Sequence, residues 1–101
     1  MLQLRPVCEN CGKDLPNHAT DAMICSFECT FCADCVANVI HNVCPTCGGG
    51  FEKRPTRPTE GFRPDNLLNF PAETKIRLKP IDSVKFKELL DHYMNVDPRK
   101  R

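Results

Sequence analysis

Eight cysteines fall in four close pairs, and all of them lie within residues 1–50. The pairs are Cys8/Cys11, Cys25/Cys29, Cys32/Cys35 and Cys44/Cys47, three spaced C-x2-C and one spaced C-x3-C. Thiolate is a soft donor, and two thiolates so close in the chain can reach one ion together. Eight of them make two complete tetrahedral ligand sets, which is what two structural zinc ions require. A staple of this kind is expected on size alone. A chain of 101 residues buries too little apolar surface to offset its conformational entropy comfortably. A small metal-stapled α+β fold is therefore expected.

Disulfides are the rival staple. The opening run Met1-Leu2-Gln3-Leu4-Arg5-Pro6 holds no apolar stretch long enough for a secretion signal. Nothing in the chain approaches the length of a membrane-spanning helix. A cytoplasmic address with reduced thiols is expected, which favours zinc over disulfides. The run from Cys25 to Cys35 resembles an iron–sulfur ligand pattern read backwards, but a cluster there would leave four cysteines unexplained.

Charge divides the chain. Residues 1–50 carry a net −3 and residues 51–101 a net +4. Each zinc with four thiolates adds about −2, so the loaded first half sits near about −7. A lobe of that sign repels phosphate backbones, and it is not expected to read nucleic acid.

Four segments follow from the pattern: a two-zinc cysteine module at 1–52, an extended Pro/Arg-rich linker at 53–81 partly packed on the module, an amphipathic helix at 82–96 and a basic tail at 97–101. The first segment has Leu2 and Leu4 on one face of a short lead-in. Cys8 to Lys13 and Cys44 to Gly50 read as knuckles, with Gly12 free to adopt positive φ. Residues 13–23 read as a polar loop, and Ile24, Phe27 and Phe31 as a miniature core. Val36, Val39, Ile40 and Val43 fall on one stripe of a two-turn helix. In the linker, Arg54, Arg57 and Arg63 alternate with prolines and read as solvated. Leu67, Leu68, Phe70, Ile76 and Leu78 are possible anchors, with a weak edge strand at 74–79. Asp82 or Ser83 can cap the last helix, whose apolar arc is Phe86, Leu89, Leu90, Tyr93 and Met94.

Geometry limits how the cysteines share metal. Two sulfurs on one zinc lie only about 3.8 Å apart. A helix over 36–43 puts Cys35 and Cys44 roughly 13 Å apart along its axis, which rules out a common ion for their two pairs. Two splits remain. The interleaved one gives Cys8, Cys11, Cys32 and Cys35 to one ion and Cys25, Cys29, Cys44 and Cys47 to the other. The nested one joins Cys8/Cys11 to Cys44/Cys47. Interleaving is preferred, because a helix N-terminus beside Cys32 and Cys35 lowers the cost of their charge.

The cysteine order resembles the RING-type cross-brace, with Cys29 where many such modules carry histidine. The run Ile24-Cys25-Ser26-Phe27-Glu28-Cys29-Thr30-Phe31-Cys32-Ala33-Asp34-Cys35 is more closely similar to a bacterial family of short cysteine-rich proteins, domain of unknown function 1272. Cys44-Pro45-Thr46-Cys47-Gly48-Gly49 and Phe70-Pro71-Ala72-Glu73-Thr74 are similar to it too, so the likeness covers roughly residues 1–80. The resemblance implies a RING-like or treble-clef double zinc finger, a bacterial source and no assigned activity. The amphipathic helix is then an extension.

RING ligases hold their conjugating enzyme through an apolar residue after the first cysteine, an aromatic near the seventh and usually a basic residue after the eighth. Glu9, Asn42 with Val43, and Gly48 stand there instead, so ligase activity is not expected. Two sites of four thiolates leave no open coordination position, and no enzyme is expected. His18, His41 and His92 read as solvated spares. The expected role is a non-enzymatic protein-interaction or adaptor module, with self-association through Phe86, Leu89, Leu90, Tyr93 and Met94 as one route. The alternatives are a nucleic-acid-associated finger, favoured by Arg99-Lys100-Arg101, and a metal- or redox-responsive one.

Overall fold

The computed structural model describes residues 2–58 and 73–101. Its centre is a three-stranded antiparallel sheet in the order β2-β1-β3. Strand β1 is Ala22–Ile24, β2 is Thr30–Cys32 and β3 is Glu52–Lys53. Ala22 pairs with Cys32 and Ile24 with Thr30, while Ile24 also faces Glu52 of β3. The β1–β2 hairpin turns through Cys25–Cys29, where Glu28 takes a φ of 68°. That turn throws Phe27 outward, 69% exposed, so the miniature core uses Phe31 but not Phe27. Phe31 meets Phe51 edge to face at 5.5 Å, an arrangement worth about 1 kcal/mol beyond burial alone.

The polar loop expected at 13–23 is more ordered than its composition implies. Val7 bridges Asp14, Leu15 is 1% exposed and Ala22 is fully buried at the start of β1. Strands of two or three residues leave too short an alternation to be read from sequence.

Helix α1 runs over Ala33–Asn38 rather than 36–43. Cys32 stands at its N-cap in extended conformation, and Asp34 sits in the first turn where the helix dipole favours an acid. It stops because His41 and Asn42 enter the left-handed region, at φ 47° and 60°, with the Asn42 side chain accepting from Phe51 N at 2.8 Å. The resulting turn still points Val36, Ile40 and Val43 inward, while Val39 is 41% exposed.

Arg54 departs furthest from the solvated linker expected there. Its side chain is buried, and it donates to the carbonyls of Arg5 at 2.8 Å, Leu15 at 3.0 Å and Pro16 at 2.8 Å. It fastens the lead-in and the loop after the first knuckle to the end of β3. Arg57 is half-buried and exchanges backbone hydrogen bonds with the Asn17 amide at 2.7 and 2.8 Å. Arg63, Leu67, Leu68, Phe70 and the run from Phe70 to Ala72 lie outside the described residues.

Residues 73–82 return along the lead-in through Glu73 N to Leu4 O at 3.1 Å and Lys79 N to Glu9 O at 2.7 Å. These bonds are too widely spaced to build a ladder, and 74–79 is not a strand. Ile76 and Leu78 do not serve as buried anchors, being 64% and 55% exposed. Helix α2, Ser83–Tyr93, starts at Asp82, whose carboxylate accepts from Val84 N and Lys85 N. It packs on the cysteine lobe. Phe86 joins the core, with Ile81, Leu89, Leu90 and Tyr93 against it and Met94 left 51% exposed. The basic tail forms a short 3-10 turn at Pro98–Lys100 capped by Asp97.

Candidate metal centres

Two knuckles with the same backbone pattern carry half of the thiols. In the first, Cys8 N donates to Lys13 O at 2.8 Å and Gly12 N to Cys8 O at 3.0 Å. In the second, Cys44 N donates to Gly49 O and Gly48 N to Cys44 O, both at 2.8 Å. The tight return needs a left-handed residue after the second cysteine, and Gly12 and Gly48 supply it at φ 76° and 79°. The other thiols come from the β1–β2 hairpin tip, with Cys25 and Cys29, and from the start of α1, with Cys32 and Cys35.

The knuckles join these elements crosswise. Cys8, Cys11, Cys32 and Cys35 bring their sulfurs within 4.8 Å of one another. Cys11 Sγ and Cys32 Sγ stand 3.7 Å apart, the spacing that two ligands of one tetrahedral zinc require. Cys25, Cys44 and Cys47 form a second set within the same limit. Cys29 falls outside that mutual distance but interacts with both Cys25 and Cys44. The grouping follows the interleaved split for the first four thiols and for Cys25, Cys44 and Cys47, while Cys29, expected in the second set, lies outside that group. The helix that seemed to enforce the split is shorter than expected, and the turn at 39–43 carries Cys44 away from α1 instead.

Crowded thiols cannot all ionise, and the electrostatics show it. In the first set, burial disfavours the Cys8 thiolate, but the backbone N–H groups of Cys11, Cys32 and Asn10 outweigh it and lower the pKa. Burial raises Cys32 and pushes Cys35 up to about 12, with neighbouring thiols adding to it. In the second set, Cys29 and Cys44 hydrogen-bond to Cys25 and bring it down to about 3. Cys44 moves the other way, raised by Cys25, by Cys29 and by its burial. In each set the thiols are pushed in opposite directions, Cys8 and Cys25 down and Cys32, Cys35 and Cys44 up. A divalent ion held by these cysteines would displace the thiol protons and relieve that conflict.

Donors outside the sulfurs orient them. Asn10 Nδ2 donates to Cys35 Sγ, Phe27 N to Cys25 Sγ and Gly49 N to Cys47 Sγ, each at 3.4 Å. Arg5 pairs with Glu9 at 2.9 Å. Burial works against its charge, yet Glu9 and the Cys29 thiol outweigh that and raise its pKa. Asn10 and Arg5 were not legible as site residues. An asparagine inside a C-x2-C turn is a faint signal, and a lead-in arginine is none. His18, His41 and His92 are all exposed, and none joins a cysteine group among the described residues.

The fold and its thiols define a small α+β protein with two cysteine clusters able to hold metal. Residues 1–57 match the family described as "Protein of unknown function (DUF1272)", and the chain belongs to that family. An uncharacterized protein of Rhizobium meliloti (strain 1021) is 50% identical over 80 residues, covering 79% of this chain and 89% of that relative. No solved structure matches the chain. No helix among the described residues is long and apolar enough to cross a membrane.

Proposed function

We propose that this protein is a two-zinc module of RING-like or treble-clef type that serves other proteins as a non-enzymatic adaptor. The observation that carries the reading is the convergence of Cys8, Cys11, Cys32 and Cys35 within 4.8 Å, drawn from a knuckle and a helix start far apart in sequence. Zinc is the ion of choice because four thiolates suit a soft-tolerant, redox-inert cation with tetrahedral preference. Cys25, Cys29, Cys44 and Cys47 would hold the second ion, with Cys29 closing on it. Full thiolate ligation leaves no position for substrate or activated water, so the ions stabilise rather than catalyse. The partner is a protein, met through the lobe or, when α2 is released, through its apolar stripe. Native mass spectrometry of the purified chain, with elemental analysis, tests the reading. Two zinc ions per chain are expected. Fewer than two, or an oxidised chain carrying disulfides, would overturn it.

A further inference from the structure

Residues 73–101 form an arm, and it meets the lobe at both knuckles. At the first, Ile81 N donates to Asn10 Oδ1 at 3.0 Å, while Nδ2 of the same side chain donates to Cys35 Sγ at 3.4 Å. One amide therefore ties a candidate ligand to the start of the arm. At the second, Arg101 Nη1 donates to Asn42 O at 2.7 Å and to Gly48 O at 3.3 Å. The Tyr93 ring lies so close to Gly48 that a Cβ there would stand 2.7 Å from it, and Pro98 sits equally tight on Gly50, at 2.8 Å. Tyr93, Pro98 and Arg101 also wall a cleft of about 630 Å³ that reaches Cys25 and Cys47.

Resting on the two-zinc reading, we infer that the arm is a strap that couples the two metal centres. Asn10 is the positioning residue through which it acts on the first centre, and Arg101 the one through which it acts on the second. The reasoning is reciprocal. The docked arm fits knuckles of one shape, and a bound ion holds each knuckle in that shape. An arm that docks better on loaded knuckles must hold the ions tighter by the same factor. Because one element spans both contacts, losing either ion loosens the grip on the other. Arg101 adds a cation against carbonyls flanking a centre of net negative charge, and Asn10 adds a donor to sulfur. Metal loss is then converted into exposure of Phe86, Leu89, Leu90 and Tyr93.

The test uses the full zinc-loaded chain under excess chelator. Time-resolved native mass spectrometry counts chains with two, one and no ions. Pulsed alkylation with N-ethylmaleimide shows which thiols open first. Tyr93 is the sole tyrosine of a chain without tryptophan, so its emission follows the arm directly. The unaltered chain is expected to lose both ions nearly in step, with little one-ion species and with Tyr93 emission changing at the same rate. Arg101→Ala should weaken zinc binding at least about fivefold in competition with the chelator, the low end of ordinary coupling, and release should be faster with Cys44 and Cys47 alkylated first. Arg101→Lys should recover part of that loss. Asn10→Ala should open Cys32 and Cys35 first. Should Asn10→Ala fail to load, the two Arg101 variants decide alone. Variants that bind two ions and release them at the original rate and order would overturn the strap but leave the zinc module standing. Failure of the unaltered chain to bind two ions would overturn both.

Discussion

The two knuckles share a backbone and differ in what covers them. Cys8–Lys13 and Cys44–Gly49 close with the same pair of hydrogen bonds and the same left-handed glycine. Over Gly12 the nearest atom to an added Cβ is Leu78 Cδ1, at an ordinary contact distance of 3.7 Å, and Cys11 beside it is exposed. Over Gly48 sits the Tyr93 ring, and that glycine is buried. Each knuckle region is also gripped by an arginine from later in the chain. Arg54 binds carbonyls on either side of the first from a buried position. Arg101 binds Asn42 and Gly48 at the second while half-exposed. The turn itself is a local solution that C-x2-C-G writes for itself. Its setting comes from residues tens of positions away.

The largest effect should erase the comparison altogether. Chelation should strip the two proposed ions, and because binding and folding are coupled the lobe should unfold, as read by near-ultraviolet circular dichroism and amide dispersion. Cys32→Ser should come close to the same outcome, since it removes a ligand at the N-cap of α1. A chelated chain with native amide dispersion would count against both centres as staples.

Among substitutions that keep the ligands, Arg54→Met should cost most, about 3 kcal/mol or more in urea titration of the loaded protein. It leaves the carbonyls of Arg5 and Leu15 without this donor, while Pro16 O keeps its bond from Ala19 N at 2.9 Å; each buried unsatisfied group costs about 1–3 kcal/mol. Arg101→Met should cost less, about 1 kcal/mol, because its guanidinium is half-exposed and so partly hydrated already. Equal losses at the two positions would break the contrast between buried and half-exposed grips.

The glycines sharpen it further. Alanine at either position pays about 1–2 kcal/mol for the left-handed backbone. Gly48→Ala must also displace Tyr93, so it should destabilise more than Gly12→Ala and lower the protection of α2 in hydrogen exchange. Matching losses, with α2 protection intact, would show that Tyr93 yields freely. The smallest effect is Asp82→Ala, about 1 kcal/mol from a lost N-cap, confined to α2 and leaving the cysteine lobe unchanged in hydrogen exchange.

Much of the candidate site was legible because chemistry is written in residue type. Eight paired thiols mark where metal clusters can form, and seven of them do gather in two groups, though their pairing stayed open until the fold was known; C-x2-C-G names its turn. The α2 helix was legible too, since Asp82 marks its start and its stripe has a 3.6-residue period. The strands were not, because β1 and β2 are three residues each and the cysteines at their ends confuse the alternation. The helix expected at 36–43 failed on its second half. Val39, Ile40 and Val43 do keep a helical spacing, but His41 and Asn42 take left-handed backbone that no apolar pattern announces. Arg54 misled for a related reason. An arginine among prolines looks solvated, and only the fold reveals that three carbonyls wait for it.

Those carbonyls bear on how the lobe could be moved between proteins. The last cysteine is Cys47, yet the side chain that fastens the lead-in arrives at Arg54, and Arg57 then reaches Leu2 O at 2.6 Å. A transplant cut just after the final thiol would carry every candidate ligand and still lose the Arg54 and Arg57 bonds to Arg5 and Leu2, keeping Gln3 N on Glu28 as a hold on the first residues. A portable piece therefore has to run at least through Arg57, the same residue at which the family match stops, and beyond it α2 supplies Phe86 to the core.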